Sequence, residues 1–234
     1  MVSGNRWSIV FMMDEADYTK QRKAMVTEQI IARGIHDPLL LEALRQVPRH
    51  LFVPPEYVSM AYTDGPLPIG SGQTISQPYI VALMTELLEL TGEENVLEVG
   101  TGSGYQAAVL AKLAHTVHTV ERHSELAEHA EKRLQQLGTT NVQVHVGDGS
   151  LGLPKYAPYQ AIMVTAAAPG VPQPLLDQLA PSGRLVIPVG SRGAQILERW
   201  RREGDAFQRE SILSVAFVPL RGEHGWENER WGWF

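Results

Sequence analysis

Leu97-Glu98-Val99-Gly100-Thr101-Gly102-Ser103-Gly104-Tyr105 sets three glycines at alternate positions between an apolar run and a helix-forming run. Glycine has no Cβ, so such a turn lets backbone approach a ligand closely. A dinucleotide fingerprint requires Gly-x-Gly-x-x-Gly, but here the third glycine comes one residue early and Tyr105 takes its place. The departure favours S-adenosylmethionine over NAD, because that cofactor has no pyrophosphate to rest on a helix N-terminus. Glu98, just before the glycines, is placed to organise hydrogen bonds to the ammonium-bearing methionine part.

Two more acids fall where strands should end. Glu121, followed by Arg122, lies about 20 residues after the glycines, the spacing at which a carboxylate accepts both ribose hydroxyls. As a bland alternative it is an exposed charge beside Arg122. Asp148, in Gly147-Asp148-Gly149, can read an adenine edge through its carboxylate or a neighbouring N–H, or can simply make an Asp-Gly turn. Upstream, Gly72-Gln73-Thr74-Ile75-Ser76-Gln77-Pro78 ends at a helix start, which puts Ser76 or Gln77 at a helix N-terminus. There Ser76 either caps the helix or holds an anion through its hydroxyl and nearby N–H groups, with Thr74 and Gln73 sharing the work.

The elements that must position these residues follow from periodicity. Tyr18 to Arg33 and a run from Asp37, with Pro38 at its first position, read as helices. Prolines 48, 54, 55, 66 and 68 then punctuate the chain, and Ile69 to Pro78 reads as a polar loop. After Pro78, Ile80, Leu83, Met84, Leu87 and Leu88 form a helical stripe facing a core. Strands at Asn95 to Val99, Thr116 to Val120, Val142 to Val146, Ala161 to Val164 and Arg184 to Val189 alternate with helices at Gly104 to Leu113, Ser124 to Leu137 and around Pro174 to Leu179, the last closed by Gly183. Such alternation predicts an α/β fold, a doubly wound and mostly parallel seven-stranded sheet. Gln195 to Arg201 and Ser211 to Val218, joined around Gly204-Asp205, add a C-terminal antiparallel hairpin.

Composition narrows the function. With 234 residues, 44% hydrophobic and 20% charged, the chain should fold around one sizeable core. The expected division is an extension over 1–16, a single domain over 17–222 and a Trp-rich tail over 223–234. Within the domain, 17–78 is a helical preamble with the loop, and 79–222 is the cofactor-binding core. Twenty Lys and Arg against 26 Asp and Glu, a net charge of -6, argue against nucleic acid. The absence of Cys excludes disulfides and thiolate chemistry, and the expected compartment is the cytoplasm. The short apolar run Ile9 to Met13 is neither an export signal nor a membrane span, and Met12, Met13 and Met25 are alternative starts. The spacings of His115, His118, His123, His129 and His145 match no zinc motif, so no metal is expected. Trp226, Trp231 and Trp233 are interrupted by Glu227, Glu229 and Arg230, which suits packing or self-association in an otherwise monomeric protein better than a membrane.

With those residues in view, the stretch from about Met25 to Gly222 resembles the bacterial protein-L-isoaspartate O-methyltransferases. The most specific match is Gly72 to Pro78, joined by Met25-Val26, Ile35 to Pro54, Leu97 to Gln106, Gly147-Asp148-Gly149, Ile162 to Ala167 and Phe217 to Leu220. The resemblance implies methyl transfer from S-adenosylmethionine, leaving S-adenosylhomocysteine, to the free α-carboxylate of L-isoaspartyl residues in damaged proteins. It implies Ser76 as the catalytic residue. It implies a cofactor site of Gln73, Thr74, Ser76, Glu98, Gly100, Thr101, Gly102, Ser103, Tyr105, Glu121, Arg122, Asp148, Gly149 and Thr165. Substrate contacts are implied for Ile75, Ser76, Gln77, Ala166, Ala167, Val218 and Pro219. The competing readings are a methyltransferase of the same fold acting on another acceptor, and a binding module without turnover.

Overall fold

A computed structural model describes residues 14–191 and 193–227. The run Ile9 to Met13, Trp231 and Trp233 lie outside the described residues. Helix α1 (Glu15–Ala24) starts on Asp14, whose carboxylate accepts from the Asp17 N–H, and continues through a π turn over Met25–Ile30 to a 3-10 turn ending at Arg33. Helix α2 (Pro38–Gln46) begins as its sequence dictates, with the Asp37 carboxylate accepting from the Leu39 and Leu40 N–H groups.

The segment expected as an irregular loop is instead a small hairpin, β1 (Leu67–Gly70) and β2 (Gln73–Ile75). Its two-residue turn has φ of 50° at Ser71 and 69° at Gly72, the left-handed pair whose twist matches antiparallel strands. Strands of four and three residues are too short to show a period of two, which is why the pattern concealed them. Helix α3 (Pro78–Glu86) follows and buries Val81, Met84 and Thr85. Ile80 and Leu83, expected on the core stripe, are only half-buried, which leaves Ile80 available to a groove.

The main sheet then builds in order: β3 (Asn95–Val99), α4 (Tyr105–Leu110), β4 (Thr116–Glu121), α5 (Ser124–Gln136), β5 (Val142–Val146), β6 (Tyr159–Val164), α6 (Gln173–Asp177), β7 (Leu179–Ser191), β8 (Ala194–Glu203) and β9 (Ala206–Val215). The strand order is β5-β4-β3-β6-β7-β8-β9, with β8 antiparallel to both neighbours and every other pairing parallel. Gly183, expected to close α6, lies within β7, where that strand slips register against β6. Parallel pairing brings the carboxyl ends of β3, β4, β5 and β6 to one edge, where open α/β sheets bind ligands.

Successive residues of β3 face opposite layers. Val96 joins a buried cluster with Met25, Ile30, Leu44, Phe52 and Met84, so the helical preamble packs as part of the same body as the sheet. Leu97 and Val99 join the other cluster, with Leu175, Leu185 and Ile187.

Candidate active site

The turn after β3 is shaped by its neighbours. Gly100 has φ of 100°, and a Cβ there would collide with Thr165 Oγ1. Thr165, just past β6, donates its hydroxyl to the Gly100 carbonyl at 2.7 Å and to that of Val99 at 3.1 Å. Glu121, at the end of β4, accepts from the Gly102 N–H through Oε2 and from the His123 N–H through Oε1, both at 3.0 Å. The carboxylate therefore holds the glycine turn while it faces an open slot lined also by Gln73, Arg122, Gly149, Ala166 and Pro219. Gln73, Arg122 and Gly149 were expected on the cofactor side, whereas Ala166 and Pro219 were expected to meet the substrate.

Three expected residues stand elsewhere. Glu98 is fully buried beneath the turn, on the Val96 face of β3, with Oε2 accepting from Thr119 Oγ1 at 2.5 Å, and Thr119 in turn 2.7 Å from Thr101 Oγ1. Burial, with the charge of Glu121 adding to it, pushes the Glu98 carboxyl up to about 8, so it is neutral at pH 7. On this face the neutral acid supports the turn from below, and it is not among the residues lining the slot. Asp148 accepts from the Ser150 N–H, from Ser150 Oγ and from the Glu223 N–H. Burial alone would raise its pKa, but those bonds outweigh it and hold the carboxyl below its usual value. With its oxygens so engaged it anchors the C-terminal segment, and Gly149 is the residue of this pair on the slot. Ala167 is buried, its N–H donating to the Val218 carbonyl at 2.8 Å, and it is not among the residues lining the slot.

Beside the slot, a groove of about 560 Å³ is lined by Ser76, Gln77 and Val218. Thr74 and Thr165 line it too, and the rest of its wall went unforeseen: Arg33, Pro66, Tyr79, Ile80 and the stretch from Leu213 to Phe217 at and just past the end of β9. The Arg33 guanidinium sits 4.8 Å over the Tyr79 ring and pairs with Asp64. No local signal marks these residues, because β9 and the α1 continuation meet only in the folded chain. A third, smaller cavity between the turn and Ser76 is lined by Ile75, Thr101, Ser103 and Tyr105. All three spaces share Thr74 and Thr165.

Gln77 is the N-cap of α3, and its side chain makes no capping bond. Ser76 thus lies one residue before the cap and borders the groove, which removes the helix-capping alternative. The fold and the site together define a Rossmann-like, S-adenosylmethionine-dependent methyltransferase.

Comparison with known proteins narrows that class. The family model for protein-L-isoaspartate(D-aspartate) O-methyltransferase matches residues 20–225, and the chain belongs to that family. It is 57% identical to the protein-L-isoaspartate O-methyltransferase of Roseiflexus sp. (strain RS-1) over 92% of this chain and 98% of that protein. It is 56% identical to that of Methanoregula boonei over 89% of this chain and 96% of the relative. A solved protein-L-isoaspartate O-methyltransferase superposes with a TM-score of 0.80 at 28% identity, covering 88% of this chain and 67% of that one. A Plasmodium falciparum structure assigned to the same activity, in complex with S-adenosyl-L-homocysteine, gives 0.75 at 25% identity over 86% and 98%. Membership carries the family's activity, S-adenosylmethionine-dependent methyl transfer to isoaspartyl groups of proteins.

Proposed function

We propose that the slot over Gly100 and Gly102 holds S-adenosylmethionine, that the groove beside Ser76 holds an L-isoaspartyl peptide, and that the free α-carboxylate of that residue is methylated. The observation that carries this reading is the convergence of slot, groove and intervening cavity on Thr74 and Thr165. The slot fits the cofactor: Gly100 has no room for a Cβ, and Glu121 presents ionisable oxygens at a strand end. Glu121 would take the ribose hydroxyls, Gly149 the adenine side, and Gln73, Thr74, Arg122 and Thr165 the remaining walls. Bound there, the cofactor supplies a methyl group activated on a sulfonium.

The chain's own task is to hold the carboxylate. Helix α3 leaves its first N–H groups without intrahelical partners, and Pro78 has none to offer, so Tyr79 and Ile80 present theirs at the positive end of the helix dipole. Ser76 adds a hydroxyl donor beside them. A carboxylate with a pKa near about 4 is already ionised at neutral pH, so no residue has to remove a proton and positioning does most of the work. Apolar Pro66, Ile80, Leu213 and Phe217 wall the groove against water and receive the flanking peptide. The resulting ester loses methanol when the neighbouring amide nitrogen closes a succinimide, and hydrolysis completes the repair.

We read the protein as a cytoplasmic monomer. In support, it has no cysteine, and no helix among the described residues is long and apolar enough to cross a membrane. The described part of the tail packs on its own domain, where the Trp226 N–H donates to the Leu220 carbonyl at 2.8 Å. No metal enters this reading, and among the described residues no group of three or more His, Asp or Glu could hold one.

The test is methyl transfer to a synthetic peptide carrying L-isoaspartate, beside its L-aspartate twin. The first should be methylated and the second nearly inert; equal rates would replace this reading with a general carboxyl methyltransferase.

A further inference from the structure

We propose that Arg49 is a positioning residue of the methyl-transfer site, locking the Ser76 backbone to Tyr105 and so fixing the substrate segment against the cofactor turn. The inference rests on the reading of the site given above. Arg49 opens a 3-10 turn over Arg49–Phe52 and is fully buried. Its Nε donates to the Ala61 carbonyl at 2.8 Å and its Nη2 to the Ser76 carbonyl at 2.7 Å. Its guanidinium carbon lies 4.9 Å from the centre of the Tyr105 ring, and Phe52 from the same turn meets that ring edge-on at 5.5 Å. Tyr105 is the first residue of α4, directly after Gly104. One side chain therefore touches the backbone of Ser76 and the helix that the glycine turn leads into.

The choice of arginine here calls for a physical reason. No ion pair to Arg49 is formed among the described residues, and Nη1 is buried without a partner. Burial lowers the guanidinium to about 10, so it still carries its charge at neutral pH. A lone buried cation is costly, and an apolar side chain would fill the same space more cheaply. What only a guanidinium offers is a rigid planar fork that bonds two carbonyls while stacking on an aromatic face. Ser76 and Tyr105 line the same small cavity between the two loops, so the fork fixes the width of that gap. Small displacements of reacting groups are expensive, with an error of about 1 Å costing on the order of 100-fold in rate.

Arg49→Lys keeps the charge without the fork, and Arg49→Met removes both. Each variant is assayed with the isoaspartyl peptide, with S-adenosylhomocysteine affinity read by calorimetry and folding by thermal melting. The expected result is a fall in kcat of roughly tenfold or more, with a raised KM for peptide, in both variants. The KM for S-adenosylmethionine and the product affinity should stay within about threefold, and Lys should recover part of the Met loss, as graded retention of hydrogen bonding demands. A cooperatively folded Arg49→Lys with full activity would overturn the proposal, and so would equal losses of peptide turnover and product binding. If Arg49→Met does not fold, Arg49→Lys decides alone. Failure of the wild-type protein to methylate the peptide would instead sink the reading of the site itself.

Discussion

Glu121 does two jobs with one carboxylate, holding the Gly102 and His123 N–H groups and facing the slot. Glu121→Ala should weaken S-adenosylhomocysteine binding by about 1.5–3 kcal/mol, the range for hydrogen bonds to charged groups, as read by calorimetry. An unchanged affinity would remove Glu121 from the site. Ser76→Ala should cost about 1–3 kcal/mol in transition-state free energy while cofactor affinity hardly changes, since Ser76 borders the groove and not the slot. Glu98 behaves differently because it is buried and neutral at pH 7. Its folded-state pKa is raised, so its contribution to stability is full below about 4.5 and is lost as pH rises towards about 8. Glu98→Gln keeps a neutral group of the same shape; its melting temperature should vary less with pH over that window than the wild type's, and cofactor affinity should be retained.

At the scale of elements, β4 and β5 are clasped on one face by His118 and His145. His118 Nδ1 lies 3.2 Å from His145 Nε2, and the Tyr156 ring stacks on His118 at 4.2 Å. Burial, then the neighbouring imidazole, pushes His118 down to about 4, and burial with Lys155 nearby lowers His145. For a base with a depressed folded-state pKa, stability is full above the ordinary value of about 6.5 and is lost as pH falls through the window to about 4. Urea denaturation should accordingly show stability declining below pH 6.5, and His118→Phe should flatten that decline. A decline of the same steepness in the variant would show that other groups cause it.

For the whole molecule, the reading predicts a positioning enzyme and not a general-base enzyme. With saturating substrates, the initial rate should stay nearly flat from pH 8 to about 6, because a carboxylate nucleophile is ionised throughout. A histidine base would lose activity over the same range. Consumption of labelled cofactor is the measure to use, since the ester product is labile in alkali. A rate falling tenfold per pH unit below 7 would contradict the mechanism.

The amino-acid sequence by itself determined the strands β3 and β5 to the residue, the starts of α2 at Pro38 and α3 at Pro78, the antiparallel finish of the sheet, and Glu121 at the end of β4. These are local matters: apolar runs between turn residues fix strands, Asp-Pro fixes a helix start, and parallel alternation sends strand ends to one side. Only the tertiary structure decided which way Glu98 and Asp148 turn, since a carboxylate at a strand end looks the same in sequence whether it meets a ligand, Thr119 or the N–H groups of Ser150 and Glu223. It also decided that Arg49 reaches Ser76, 27 residues away, and that Arg33 and the end of β9 wall the groove. Those contacts depend on which layers pack together, and periodicity carries no information about a partner that distant in the chain.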